Sequence, residues 1–134
     1  MNFITKLFLL LILLLSSANA VNLDWLHDYD KALAQAKKEH KNVYLFVGAD
    51  KCKYCERFYK YTLSDKQVIK DMKKKFVLLY MSRDQHDIPK QFERYGVPRH
   101  YFLTPTGKII HTDQGSREKA GWYDVLDEVE LKLD

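Results

Sequence analysis

Val43-Tyr44-Leu45-Phe46-Val47, followed across Gly48-Ala49-Asp50-Lys51 by Cys52-Lys53-Tyr54-Cys55, is the stretch whose reading decides the fold. The first five residues are β-branched, aromatic or aliphatic and carry no charge, the composition of a short strand buried on both faces. From Cys52 the apolar spacing changes to Cys55, Phe58 or Tyr59, Thr62 and Leu63, which is helical. The cysteine pair therefore falls at a strand-to-helix junction, on or just before the first turn of the helix. Two thiols at this spacing can close a small ring or present one thiolate with a resolving partner beside it.

These are the only cysteines in 134 residues. An exported chain held together by disulfides usually carries four, six or eight of them, spread along its length. A bridge between residues three apart constrains the unfolded chain little, because its stabilising effect grows with loop length. The pair is thus better explained as a reactive site than as a staple. Export itself is expected from the other end of the chain. Lys6 precedes an unbroken apolar run over residues 7–15, and Ser16-Ser17-Ala18-Asn19-Ala20 closes with a small-x-small pattern, the layout of a secretory signal peptide cleaved after Ala20. The run is too short to span a bilayer, which takes about 20 apolar residues. Residues 1–20 are read as this leader and residues 21–134 as one domain, too short for two cores. The product is expected to be periplasmic if the source is bacterial and secreted otherwise, with no stable membrane insertion. The formal net charge of +4 falls by one with the loss of Lys6, too mild a balance to indicate nucleic acid.

Outward from the opening stretch, Trp25, Leu26, Tyr29, Leu33 and Ala36 predict a helix over residues 24–40, with acids early and Lys37-Lys38 late, as the dipole favours. Ser64-Asp65-Lys66-Gln67 has the form of a capping box opening a helix through Val68, Ile69 and Met72. Residues 76–81 form a second uncharged strand. Asp87-Ile88-Pro89 reads as the start of a short helix ending at Gly96. Residues 99–104 and 108–112 read as a hairpin about Pro105-Thr106-Gly107-Lys108. A last helix follows Gly115-Ser116, with Trp122, Leu126, Val129 and Leu133 on its buried stripe. This order predicts an α/β fold with a central mixed β-sheet flanked by helices on both faces.

A cysteine pair where a buried strand meets a helix, a Val-Pro dipeptide opening a later strand, and a terminal helix after a hairpin together resemble the thioredoxin superfamily, in particular its small exported thioredoxin-like members. The matching residues are Ala34 with Lys41, the strand and cysteines above, residues 76–81, Tyr95-Gly96-Val97-Pro98, residues 105–108 and Gly115. The resemblance implies a thioredoxin fold and thiol-disulfide exchange with protein substrates and a redox partner that resets the pair. It implies Cys52 as the attacking thiol, Cys55 as the resolving thiol, and Pro98 as a cis-proline facing them, with Val97 pairing its backbone to a bound substrate. Lys53 and Tyr54 border the pair. The chain departs from the family where Lys51 replaces a tryptophan, where Phe46 replaces a buried acid, and where Arg99 follows the proline. Phe46 cannot relay a proton, so Cys55 must be deprotonated by another group, Glu56 being one candidate, or by solvent. Lys51, Lys53 and Arg57 around Cys52 favour its thiolate and hence a more oxidising disulfide than that of thioredoxin.

Two other readings compete. Cys52 and Cys55 with a histidine could hold copper or zinc, but His27, His40, His86, His100 and His111 show no paired spacing and a structural zinc site takes four ligands. Covalent haem attachment needs histidine where Glu56 stands. A redox-inactive interaction module could dock through Tyr54, Phe58, Tyr59 and Tyr61, but would have no use for the intact pair. The expectation is therefore a monomeric thiol-disulfide oxidoreductase with no metal and no organic cofactor. Whether it reduces or oxidises its substrates is set by its partner.

Overall fold

The computed structural model describes Asn2 and residues 25–134; Asn2 apart, the leader expected over residues 1–20 and its cleavage site lie outside the described residues. Five strands form one sheet in the order β1-β3-β2-β4-β5. β2 (Asn42–Gly48) is central, parallel to β3 (Phe76–Ser82) and antiparallel to β4 (Arg99–Leu103), which pairs with β5 (Ile109–Gln114). Residues 43–48 are all buried, as an uncharged central strand requires.

Period-two alternation along β2 sends its side chains to two different cores. Val43, Leu45 and Val47 pack with Val77, Leu79 and Met81 beneath α1 (Tyr29–Glu39), which contributes Ala32 and Ala36. Tyr44 and Phe46 pack on the other face, against α2 (Lys53–Phe58), α3 (Lys66–Lys75) and α4 (Lys119–Leu133). Between α2 and α3 the chain continues as a π-helical segment, Tyr59–Leu63. The Thr62 hydroxyl donates to the Arg117 carbonyl at 2.6 Å and ties that segment to the approach to α4. The mixed sheet with helices on both faces agrees with the sequence reading.

Four local expectations are corrected. Trp25 and Leu26 do not open the first helix; they form β1, parallel to β3 opposite Leu78 and Leu79. The helix starts at Tyr29, where the Asp28 side chain accepts the Lys31 N–H at 2.9 Å. The N-cap of α3 is Asp65, whose carboxylate accepts from Gln67 and Val68, while the Ser64 hydroxyl turns back to the Lys60 carbonyl. No helix forms over residues 87–96. Its backbone groups go to side chains instead: the Glu93 N–H donates to the Tyr101 hydroxyl and the Arg94 guanidinium donates to the Ile88 carbonyl. Ile88 and Phe92 are buried as loop anchors. In α4 the buried stripe is Trp122, Val125 and Val129; Leu133 is exposed.

Candidate functional site

Cys52 is the N-cap of α2. Its backbone is extended, its carbonyl accepts the Glu56 N–H at 3.0 Å, and its sulfur accepts the Cys55 N–H at 3.1 Å. Cys52 and Cys55 are joined as a disulfide, with Cα atoms 5.2 Å apart. Both are buried, and their neighbours Lys51, Lys53, Tyr54, Glu56 and Arg57 are exposed. A closed sulfur pair lies beneath a charged and aromatic surface.

The loop before β4 lies beside this helix. The Val97–Pro98 peptide bond is cis. Tyr54 and Arg57 from α2, Val97 and Pro98 from this loop, Gln114 from the end of β5 and Glu118 from the approach to α4 line a groove of about 620 Å³. Three contacts hold the loop: the Arg99 guanidinium donates to the Tyr95 carbonyl, the Gln114 amide to Gly96 at 2.8 Å, and the Gly115 N–H to Pro98 at 2.8 Å. Gly96 is required there, because its φ is +67° and a Cβ would lie 2.6 Å from the Gln114 amide nitrogen. Arg99, which follows the proline, thus secures the loop from which Val97 and Pro98 reach the groove.

Behind the pair lies a second concavity of about 720 Å³. Cys55 lines it, Trp25, Phe46, Tyr59 and Tyr80 form its apolar wall, and His27, Asp50, Glu56 and Gln85 supply its polar groups. Phe46 is buried and packs edge-on to Phe58 and Tyr80, at 5.7 and 5.1 Å between ring centres. The Tyr80 ring lies across Gly48, where an added Cβ would come within 2.9 Å of it. His27 and His86 stack here at 5.1 Å with ring planes 4° apart. That pair had no signal in the sequence, since only the pairing of β1 with β3 brings residues so far apart together.

Beneath α2 sits a further group that sequence reasoning missed. His100 is fully buried, its Nε2 donating to the Gly115 carbonyl at 2.8 Å and its Nδ1 accepting the Tyr44 hydroxyl at 2.7 Å. A carbonyl can only accept, which fixes this tautomer for the neutral ring. Burial pushes the His100 pKa down to about 4 and the Tyr44 pKa well up. The imidazole packs against Phe58 and Trp122, at 4.8 and 4.9 Å between centres. Of the five histidines weighed as ligands, one is therefore a core residue. Among the described residues no group of three or more His, Cys, Asp and Glu is placed to hold a metal ion, and no helix is long and apolar enough to cross a membrane.

A mixed sheet between two layers of helices, with a Cys-x-x-Cys disulfide at the strand-to-helix junction, is an architecture of the thioredoxin type. The chain belongs to the thioredoxin-like family, whose model matches residues 24–105. It is 30% identical over 78 residues to a protein disulfide-isomerase of Zea mays, a match that covers 58% of this chain but only 15% of that protein. A thioredoxin from Thermus thermophilus superposes with a TM-score of 0.67 at 26% identity, over 82% of this chain and 88% of its own. The C-terminal domain of Neisseria meningitidis DsbD in its oxidised form, at 21% identity and a TM-score of 0.63, shares the fold over 78% of this chain and 97% of its own.

Proposed function

We propose that this chain is an exported enzyme that exchanges electrons with protein disulfides through Cys52 and Cys55. The observation that carries the proposal is the Cys52–Cys55 disulfide at the α2 N-cap, beside a groove formed by Val97 and Pro98. In the reductive direction the Cys52 thiolate attacks a substrate disulfide, one substrate sulfur leaves as a thiolate, and a mixed disulfide remains. Cys55 then attacks Cys52 and releases the second substrate sulfur, so that two electrons pass to the substrate. The oxidative direction reverses both steps, and a redox partner resets the pair. The Cys55 N–H that Cys52 already receives, together with Lys51, Lys53 and Arg57, stabilises the attacking thiolate. The potential should accordingly lie above the value of about −270 mV typical of thioredoxin.

The groove supplies the substrate contact. An extended segment lies along the Val97 backbone, with Tyr54 and Lys53 at its border. Replacing Cys55 with serine stops the cycle at the mixed disulfide. The Cys55→Ser protein, expressed in its native exported compartment, should accumulate reducible covalent adducts that the Cys52→Ser/Cys55→Ser protein lacks. No adduct through Cys52 would overturn the assignment.

A further inference from the structure

Cys55 is buried, and a thiol must lose its proton before it can attack Cys52. Phe46 faces the same cavity as Cys55 and has no atom to accept that proton. We propose that His27 is the proton acceptor for Cys55, reached through solvent in the 720 Å³ cavity that both residues line. The inference rests on the redox reading above and adds to it the group that completes the second step.

The hydrogen bonds around the cavity select His27 over its neighbours. Its Nδ1 faces the Tyr80 carbonyl at 2.9 Å and so carries the hydrogen, leaving the Nε2 lone pair open. The stacked His86 ring is engaged in the opposite sense, its Nδ1 accepting the Ser82 N–H at 2.8 Å and its Nε2 carrying the hydrogen. Protonating His86 would break that bond, and its burial opposes its charge. Asp50 has one carboxylate oxygen occupied by the Ser82 hydroxyl and the Gln85 amide, at 2.8 and 2.7 Å. Glu56 also lines the cavity, but a carboxylate is intrinsically a weaker base than an imidazole. Asp50 and Glu56 have a different effect: as anions on the same cavity they stabilise the imidazolium once it forms.

The step balances as follows. The Cys55 S–H passes its proton through solvent to Nε2 of His27, and the new thiolate forms the bond to Cys52. The bond between Cys52 and the substrate sulfur breaks, and its electron pair leaves with the substrate as a thiolate. The imidazolium then returns the proton to bulk solvent, and the substrate thiolate takes one from it.

The test uses the reduced full protein and the aromatic disulfide dithiobis(nitrobenzoate), which releases one coloured thiolate when Cys52 attacks and a second when Cys55 resolves. In wild type the second phase should speed up as pH rises, as a step that needs an unprotonated acceptor must. His27→Gln, which keeps an amide donor for the Tyr80 carbonyl, should slow the second phase relative to the first by about tenfold or more and flatten that rise. A second phase within twofold of wild type with the same pH profile overturns the proposal. So does a loss seen with Glu56→Gln in place of His27→Gln. His27 is exposed, and His27→Asn provides an independent check should the Gln variant unfold. Absence of the first phase in wild type would overturn the redox reading itself.

Discussion

On the α1 face of the sheet the packing is largely aliphatic: Val43, Leu45, Val47, Leu79 and Leu103 meet Ala32 and Ala36, with Ile88 pinning a loop across the end. On the α2 and α4 face, beneath the cysteines, it is aromatic and includes polar atoms: Tyr44, Phe46, Phe58 and Trp122 surround His100, and Phe102 packs on Tyr44 and Trp122. Both faces are buried to the same degree, yet they are built to different tolerances. Aliphatic side chains of similar volume can replace one another at small cost. The aromatic face contains a directional chain, Tyr44 hydroxyl to His100 to Gly115 carbonyl, that accepts one geometry only. The face that supports the chemistry is the one whose packing is specified by hydrogen bonds.

Three measurements could break this contrast. The largest effect is expected from Trp122→Ala, which removes the ring that touches Phe58, His100 and Tyr44. It should cost about 3–5 kcal/mol in denaturant unfolding, and a cost near 1 would show the aromatic face to be loosely packed. Next comes acid sensitivity. The folded-state pKa of His100 lies near 4, below the 6.5 usual for an imidazole, because burial disfavours its charge, so the unfolded chain binds the proton first. The stability present above about pH 6.5 should fall by about 3 kcal/mol as pH drops to about 4, then level off for this group. His100→Leu, although less stable at pH 7 because it orphans the Tyr44 hydroxyl and the Gly115 carbonyl, should lack this component of the pH dependence. Equal slopes in the two proteins would remove His100 as its source. The smallest effect is expected on the other face, where Ile88→Val should cost about 1 kcal/mol with no change in acid sensitivity.

The same contrast explains what the sequence reveals. Residues 43–47 and the cysteine junction are legible because local composition and spacing encode them: an uncharged β-branched run, then a shift to helical period. Trp25 and Leu26 are not, since two residues cannot display a period and their strand exists only through pairing with Leu78 and Leu79. The expected helix at residues 87–96 has proline and aspartate where a helix start wants them, but its backbone is satisfied by side chains instead, by Tyr101 from β4 and by Arg94 within the segment itself. Nothing beside His100 in the chain marks it as a core residue; β4 makes it one by placing it opposite Phe46. The position of the cysteines is thus a local property. The groups that surround them are assembled by long-range pairing and leave no mark on their neighbours in the chain.

Gly48, at the end of β2, has no chemistry of its own, but the Tyr80 ring rests where its side chain would be. A single methyl group there would displace the ring and, with it, one wall of the space through which Cys55 reaches His27. The width of that passage is therefore set by a hydrogen atom, and a conservative-looking Gly48→Ala exchange in a buried strand would act as a valve on proton movement at the neighbouring helix.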